Sequence, residues 1–234
     1  MHQSVLDKFV AFSTPLEGDI LAPYLDSKGL PTVGIGCLIK PVERFGGLGW
    51  LIDGVPCAPA EAVRQLRALE ARQELAKYSA LGPQQQGATT IRLTPPLVLA
   101  LCQRRLAEAD AQMLRYFPAY ASWPADAQLF AMSVAWAVGD GWPAIFKNCT
   151  RLLNQSPPAW ALAILHAPTP GHPGMYDPAA ADISTAGNPG IVPRNLQNEL
   201  CLSNAAVVAA HGLDPSVLHW PKSPLTDGTK GTEI

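Results

Sequence analysis

No stretch of this 234-residue sequence is apolar for long enough to cross a bilayer. The longest, Ala159 to Leu165, has seven residues, against the roughly 18–20 that a spanning helix needs. Charge is scarce and nearly balanced. Charged residues are 15% of the chain, and 17 Lys and Arg against 19 Asp and Glu leave a formal charge of −2. A nucleic-acid binder would show a basic patch or stripe, so nucleic acid is excluded as a partner. With 48% hydrophobic residues the chain is also too apolar to stay disordered. Cysteine is thin and scattered: Cys37, Cys57, Cys102, Cys149 and Cys201 form no CxxC. That pattern suits reduced, mostly buried thiols rather than a zinc ribbon or a disulfide framework, with one or two bridges open if the protein works outside the cytoplasm. His2, His166, His172, His211 and His219 show no ligand spacing, so no metal and no cofactor are expected. GxSxG, HExxH and the P-loop are missing. Gly34-Ile35-Gly36 lacks the glycine at position 39 that a dinucleotide fingerprint requires, since Ile39 stands there. Residues 1–14 carry Asp7 and Lys8 within an apolar pattern and have no small-residue cleavage site. The expectation is synthesis in the cytoplasm without a signal peptide.

What the sequence has in quantity is punctuation, with 23 prolines and 19 glycines. Leu6, Phe9, Val10 and Phe12 are spaced for one face of a first helix, which Pro15 should close. Tyr24-Leu25-Asp26, the turn residues Ser27-Lys28-Gly29 and Thr32-Val33-Gly34-Ile35-Gly36 predict a small hairpin. Residues 41–59 read as a loop, 60–77 as an amphipathic helix and 83–94 as a second break. Pro95 fits the first turn of a helix to Tyr116, with Leu99, Leu106, Met113 and Leu114 inward. Residues 125–138 are apolar nearly all round, as in a central buried helix closed by Gly139. Short helices follow at 144–153 and 158–165, then a Pro/Gly-rich loop at 166–193, a last helix at 195–210 and a polar tail at 221–234. The expected class is α+β, mostly helical, with one small N-terminal β-hairpin lobe. Residues 1–220 form one domain in this reading, with insertions near 41–59, 83–94 and 166–193.

Two N-terminal carboxylates stand in different surroundings. Glu17 follows the first helix among Phe12, Leu16, Ile20 and Leu21, and nine residues on Asp26 sits at the edge of a glycine turn. Cleaving a glycosidic bond uses two such groups, one kept protonated by apolar neighbours and one left ionised. Taken alone, the pair also suits a helix-end glutamate and a turn aspartate.

The longer string Glu17-Gly18, Tyr24-Leu25-Asp26, Gly29, Thr32-Val33-Gly34-Ile35-Gly36 resembles the phage-type lysozymes, the endolysin-like muramidases of bacteriophage. Two looser resemblances follow, at Phe130 to Gly139 and at Pro189 to Asn195. The resemblance implies a lysozyme-like fold and a peptidoglycan muramidase acting by inversion. Glu17 would be the general acid, Asp26 the second carboxylate, and Thr32 the holder of the attacking water. Gly36 would let backbone approach the sugar, and Arg194 would contact substrate, pin the lobes together or open the last helix as a structural arginine. Trp50, in a glycine-rich loop past the hairpin, is the candidate sugar platform, whereas Trp136 reads as core. Cys37 departs from the family, which frequently has a polar residue there. The balanced charge departs too, and fits a secretion-system effector acting on the cell wall in the periplasm. Its partners would be peptidoglycan and, for such an effector, an immunity protein or a secretion-system component; the expected state is a monomer. A lytic transglycosylase on the same fold would need only Glu17, and a binding module without turnover is the alternative from another class.

Overall fold

The computed structural model describes residues 1–163 and 192–223; Val192 is described by its backbone alone. The described chain is a mixed α+β protein with two small antiparallel sheets. It divides into two compact units, one of Val10–Arg105 and the other of Met1–Phe9 with the chain from Leu106 onward.

The first unit holds both sheets. Helix α1 (Gln3–Glu17) enters it and leads into β1 (Ile20–Leu25), β2 (Pro31–Gly34) and β3 (Cys37–Leu38), ordered β1-β2-β3. The expected hairpin is present and gains a third strand. Pro15 does not close α1: it lies in the last turn, and the helix ends where Gly18 takes φ +80° and donates its amide to Thr14 O at 2.8 Å. Left-handed backbone at a helix end is what glycine supplies at little cost.

The stretch expected as a loop at 41–59 contains a 3-10 turn (Val42–Phe45) and the hairpin β4 (Leu51–Ile52)–β5 (Val55–Pro56). The break at 83–94 contains α3 (Pro83–Gln86) and β6 (Ile91–Arg92), which completes a sheet ordered β5-β4-β6. Two-residue strands are too short for alternation to show in sequence. The helix expected over 60–77 is α2 (Pro59–Glu70) followed by a 3-10 turn at Gln73–Lys77. Its break has a packing reason. Six residues of continuous helix would turn Leu75 about 240° away from Leu69; the break returns Leu75 to a cluster with Leu25 and Leu69, all buried.

Helix α4 (Pro95–Tyr116) has the expected bounds, and of its four expected inward residues Leu106 and Met113 are buried. Leu99 and Leu114 are 44% and 45% exposed, while Val98, Cys102, Leu106, Ala109 and Met113 are buried. Those five repeat at three- and four-residue spacings, the true apolar stripe.

In the second unit, α5 (Ala125–Val138) is buried from Ala125 through Ala135, as its all-round apolar sequence requires, and packs on α8 (Val192–His211). Gly139 at φ +99° ends it. Between them lie α6 (Trp142–Ile145), α7 (Lys147–Leu153) and a 3-10 turn at Trp160–Leu162. Trp136 is half-buried with its ring 4.9 Å from that of Phe9. Nearly all of the 166–193 loop and the 221–234 tail lies outside the described residues. Among the described residues, no helix is long and apolar enough to cross a membrane.

Candidate active site

Glu17, Asp26 and Thr32 belong to one unit and come from consecutive elements. Glu17 is the last residue of α1, half-buried, one residue before the left-handed glycine that turns the chain into β1. Asp26 opens the β1–β2 turn. Its Oδ1 accepts the amides of Lys28 and Leu30, each at 2.8 Å, and its own amide donates to Leu30 O at 3.0 Å. Among the described residues, Oδ2 has no hydrogen-bond partner. One oxygen therefore fixes the turn and the other is left to bind something else. Gly29, at φ +73°, supplies the left-handed step that closes this turn.

Thr32 is 4% exposed on β2 and donates from Oγ1 to Leu30 O at 3.1 Å. Its β1 partner in the register is Tyr24. Directly opposed residues of an antiparallel pair share a face, so Tyr24 and Thr32 lie side by side. Burial, first, and then the charges of Glu17, Asp26 and Cys37 push the Tyr24 phenol well above its ordinary range.

The glycine pair of the motif has a backbone reason. Gly34 and Gly36 take φ +66° and +86°, and a Cβ on Gly34 would come 2.5 Å from Val98 Cγ1 of α4. Cys37 follows on β3, buried against that region. Burial, then Cys102, raises its thiol to about 12 despite Arg105 and Arg104, which pull it down. Burial raises Cys102 to about 12 as well. Both stay protonated thiols at neutral pH, which suits core packing and not nucleophilic attack.

Gln85 was missed by sequence reasoning. It is fully buried in α3, where Oε1 accepts the Leu25 amide at 3.1 Å and Nε2 donates to Leu25 O and Leu75 O, both at 2.8 Å. It thereby clamps the end of β1, the residue before Asp26. Nothing local marks it, because Gln84-Gln85-Gln86 reads as a solvated polar run.

The three substrate-binding candidates fall differently. Gly36 is half-buried in the β2–β3 turn, beside the group just described. Trp50 is completely buried, with Nε1 donating to Phe45 O at 2.7 Å, so its ring is a core group of the glycine-rich segment and offers no open face. Arg194 belongs to the other unit. It is 3% exposed in the first turn of α8, with Nη1 3.3 Å from Ser133 Oγ of α5.

Among the described residues, no group of three or more His, Cys, Asp or Glu could hold a metal ion, and the cysteines are all free thiols. A groove of about 390 Å³ elsewhere in the first unit is lined by Glu61, Arg64, Gln65 and Thr90. Its polar groups satisfy one another: Arg64 pairs with Glu61, and Gln65 bonds both Glu61 and Thr90. It shares no residue with the Glu17 group. No protein-family model matches the chain, and no curated protein matches it either.

Proposed function

We propose that this chain is a peptidoglycan muramidase that hydrolyses the bond between N-acetylmuramic acid and N-acetylglucosamine. The observation that carries the reading is the order of three candidates in one unit: Glu17 closes the helix that leads into β1, Asp26 opens the β1–β2 turn, and Thr32 pairs with Tyr24 across the sheet. Two carboxylates with unequal surroundings suit glycoside cleavage. Glu17, at the helix end, acts as general acid and protonates the leaving oxygen. Two amides fix Asp26 Oδ1, and its second oxygen orients a water and balances the oxocarbenium-like charge. Because the Thr32 hydroxyl donates to Leu30 O, its lone pairs face the incoming water as acceptors. A water attacking from the side opposite the leaving group inverts the anomeric centre.

The fold in this reading is lysozyme-like, and the site of action is the cell wall in the periplasm, reached as a secretion-system effector. An immunity protein in the producing cell would follow from that role.

Digestion of purified sacculi tests the reading. Soluble muropeptides with a hydrated reducing-end muramic acid of inverted configuration are expected. Products lighter by about 18 Da, the water not added in an intramolecular step, would replace the hydrolase by a lytic transglycosylase. Binding to sacculi without release would leave only a binding module.

A further inference from the structure

Gly29, in the turn that Asp26 opens, is buried and confined twice over. Its φ of +73° favours glycine, and a Cβ there would run into the side-chain amide of Gln73. Gln73 opens the 3-10 turn that follows α2. Its Nε2 donates to two carbonyls, Gly29 O at 3.0 Å and Glu70 O at 2.7 Å. Glu70 is the last residue of α2, where helix carbonyls find no intrahelical amide. One exposed side chain thus joins the end of α2 to the Asp26 turn. Beside it, Leu25 packs on Leu69 of α2 and Leu75 of the 3-10 turn.

The bonds within the turn set Asp26 relative to the turn. Its Oδ1 accepts the amides of Lys28 and Leu30, and its carbonyl accepts that of Gly29 at 2.9 Å. They do not set the turn relative to the helices. Gln85 does so ahead of the turn, at Leu25, and Gln73 does so inside it, three residues past Asp26. We propose that Gln73 is a positioning residue of the site: its bond to Gly29 O holds the Asp26 turn against the end of α2, so that Asp26 Oδ2 keeps one direction. The inference rests on the muramidase reading, in which that oxygen orients the attacking water. Small displacements from a reactive geometry cost rate steeply, so the effect falls on the chemical step. Both bonds use the Nε2 donor, so the group required at this position is an N–H and not an acceptor.

Two substitutions and two readouts test this. Gln73→Met keeps the length of the side chain and removes the donor. Gln73→Lys restores N–H donors on a flexible stem. In steady-state digestion of sacculi, Gln73→Met should lose about tenfold in kcat with KM and the urea midpoint nearly unchanged, and Gln73→Lys should return to within about threefold of wild type. Hydrogen exchange at the Lys28 and Leu30 amides, followed in the full chain without substrate, should be faster in Gln73→Met than in the wild type. Wild-type kcat in Gln73→Met, a loss confined to KM, or unaltered exchange at both amides would overturn the proposal. So would a loss that tracks a lowered urea midpoint and that Gln73→Lys does not restore. A wild type that releases no muropeptides would remove the muramidase reading and this role with it, whereas an active wild type matched by Gln73→Met would remove the role alone.

Discussion

Asp26 separates structure from chemistry within one side chain. Asparagine at that position keeps an Oδ1 acceptor for the amides of Lys28 and Leu30 but carries no charge, while alanine loses both. Asp26→Asn should therefore unfold near the wild-type midpoint and be nearly inactive on sacculi. Asp26→Ala should be inactive and less stable by about 1–2 kcal/mol, the scale of losing hydrogen bonds to a charged acceptor in a half-exposed turn. Urea denaturation beside a turnover assay checks both. Equal losses of stability in the two variants would mean that the turn depends on the charge and not on the acceptor. Glu17→Gln is the companion change: it preserves shape and removes the transferable proton, so turnover should fall by roughly 10²-fold or more. A variant keeping more than about a tenth of wild-type turnover would remove Glu17 as general acid.

Single elements decide whether those residues hold their places, and here Gln85 matters most. One side chain from a four-residue helix satisfies both backbone groups of Leu25 and the carbonyl of Leu75. Leucine in its place would leave both backbone groups of Leu25 unmatched, while Leu75 O would keep the Tyr78 amide, a loss of roughly 2–4 kcal/mol. Gln85→Leu should also lower turnover, because Leu25 anchors the strand end that carries Asp26; Gln85→Glu should recover less than half of the stability, since a carboxylate cannot donate to the two carbonyls. A stable, fully active Gln85→Leu would show that β1 holds its end without the clamp. The contrast with the hairpin explains what the sequence could and could not disclose. Tyr24 to Gly36 was legible because its turns need glycine at left-handed angles. In the α4 stripe Leu106 and Met113 were legible and Leu99 and Leu114 were misplaced, since Leu97, Leu99 and Leu101 are all apolar and only tertiary packing selects among them. The second sheet was illegible because strands of two residues have no period. Gln85 was illegible because its partners lie 10 and 60 residues away. Trp50 shows the reverse error: a glycine-rich neighbourhood suggested an open platform, but the indole N–H found a carbonyl within the same segment and the ring went to the core.

At the scale of the whole molecule, charge bears on stability and on the response to salt. In the unit containing α5, the Asp126 carboxylate accepts Asn204 Nδ2 and the amides of His219 and Trp220, each at 2.9 Å, tying the helix start to the chain beyond α8. Burial nevertheless outweighs these bonds and raises its pKa above the ordinary aspartate value. The folded state thus holds the proton more tightly than the unfolded one. The contribution is most favourable below the unfolded pKa and declines as pH rises through the folded value. The wild-type urea midpoint should fall more steeply than that of Asp126→Asn as pH climbs from about 4 to neutrality, and parallel curves would contradict the assignment. Over the full chain, a formal charge of −2 gives no bulk attraction to an anionic wall, so turnover on sacculi should change little between low and physiological salt. In the muramidase reading, delivery and not adsorption sets where the protein acts. Production in the bacterial cytoplasm, which contains no crosslinked wall, should be tolerated, and the same chain behind a secretory signal should lyse its host. Periplasmic Glu17→Gln, made at equal level, should not. Equal toxicity in both compartments would point to a cytoplasmic target, and lysis by the Glu17→Gln protein would detach killing from the carboxylate chemistry.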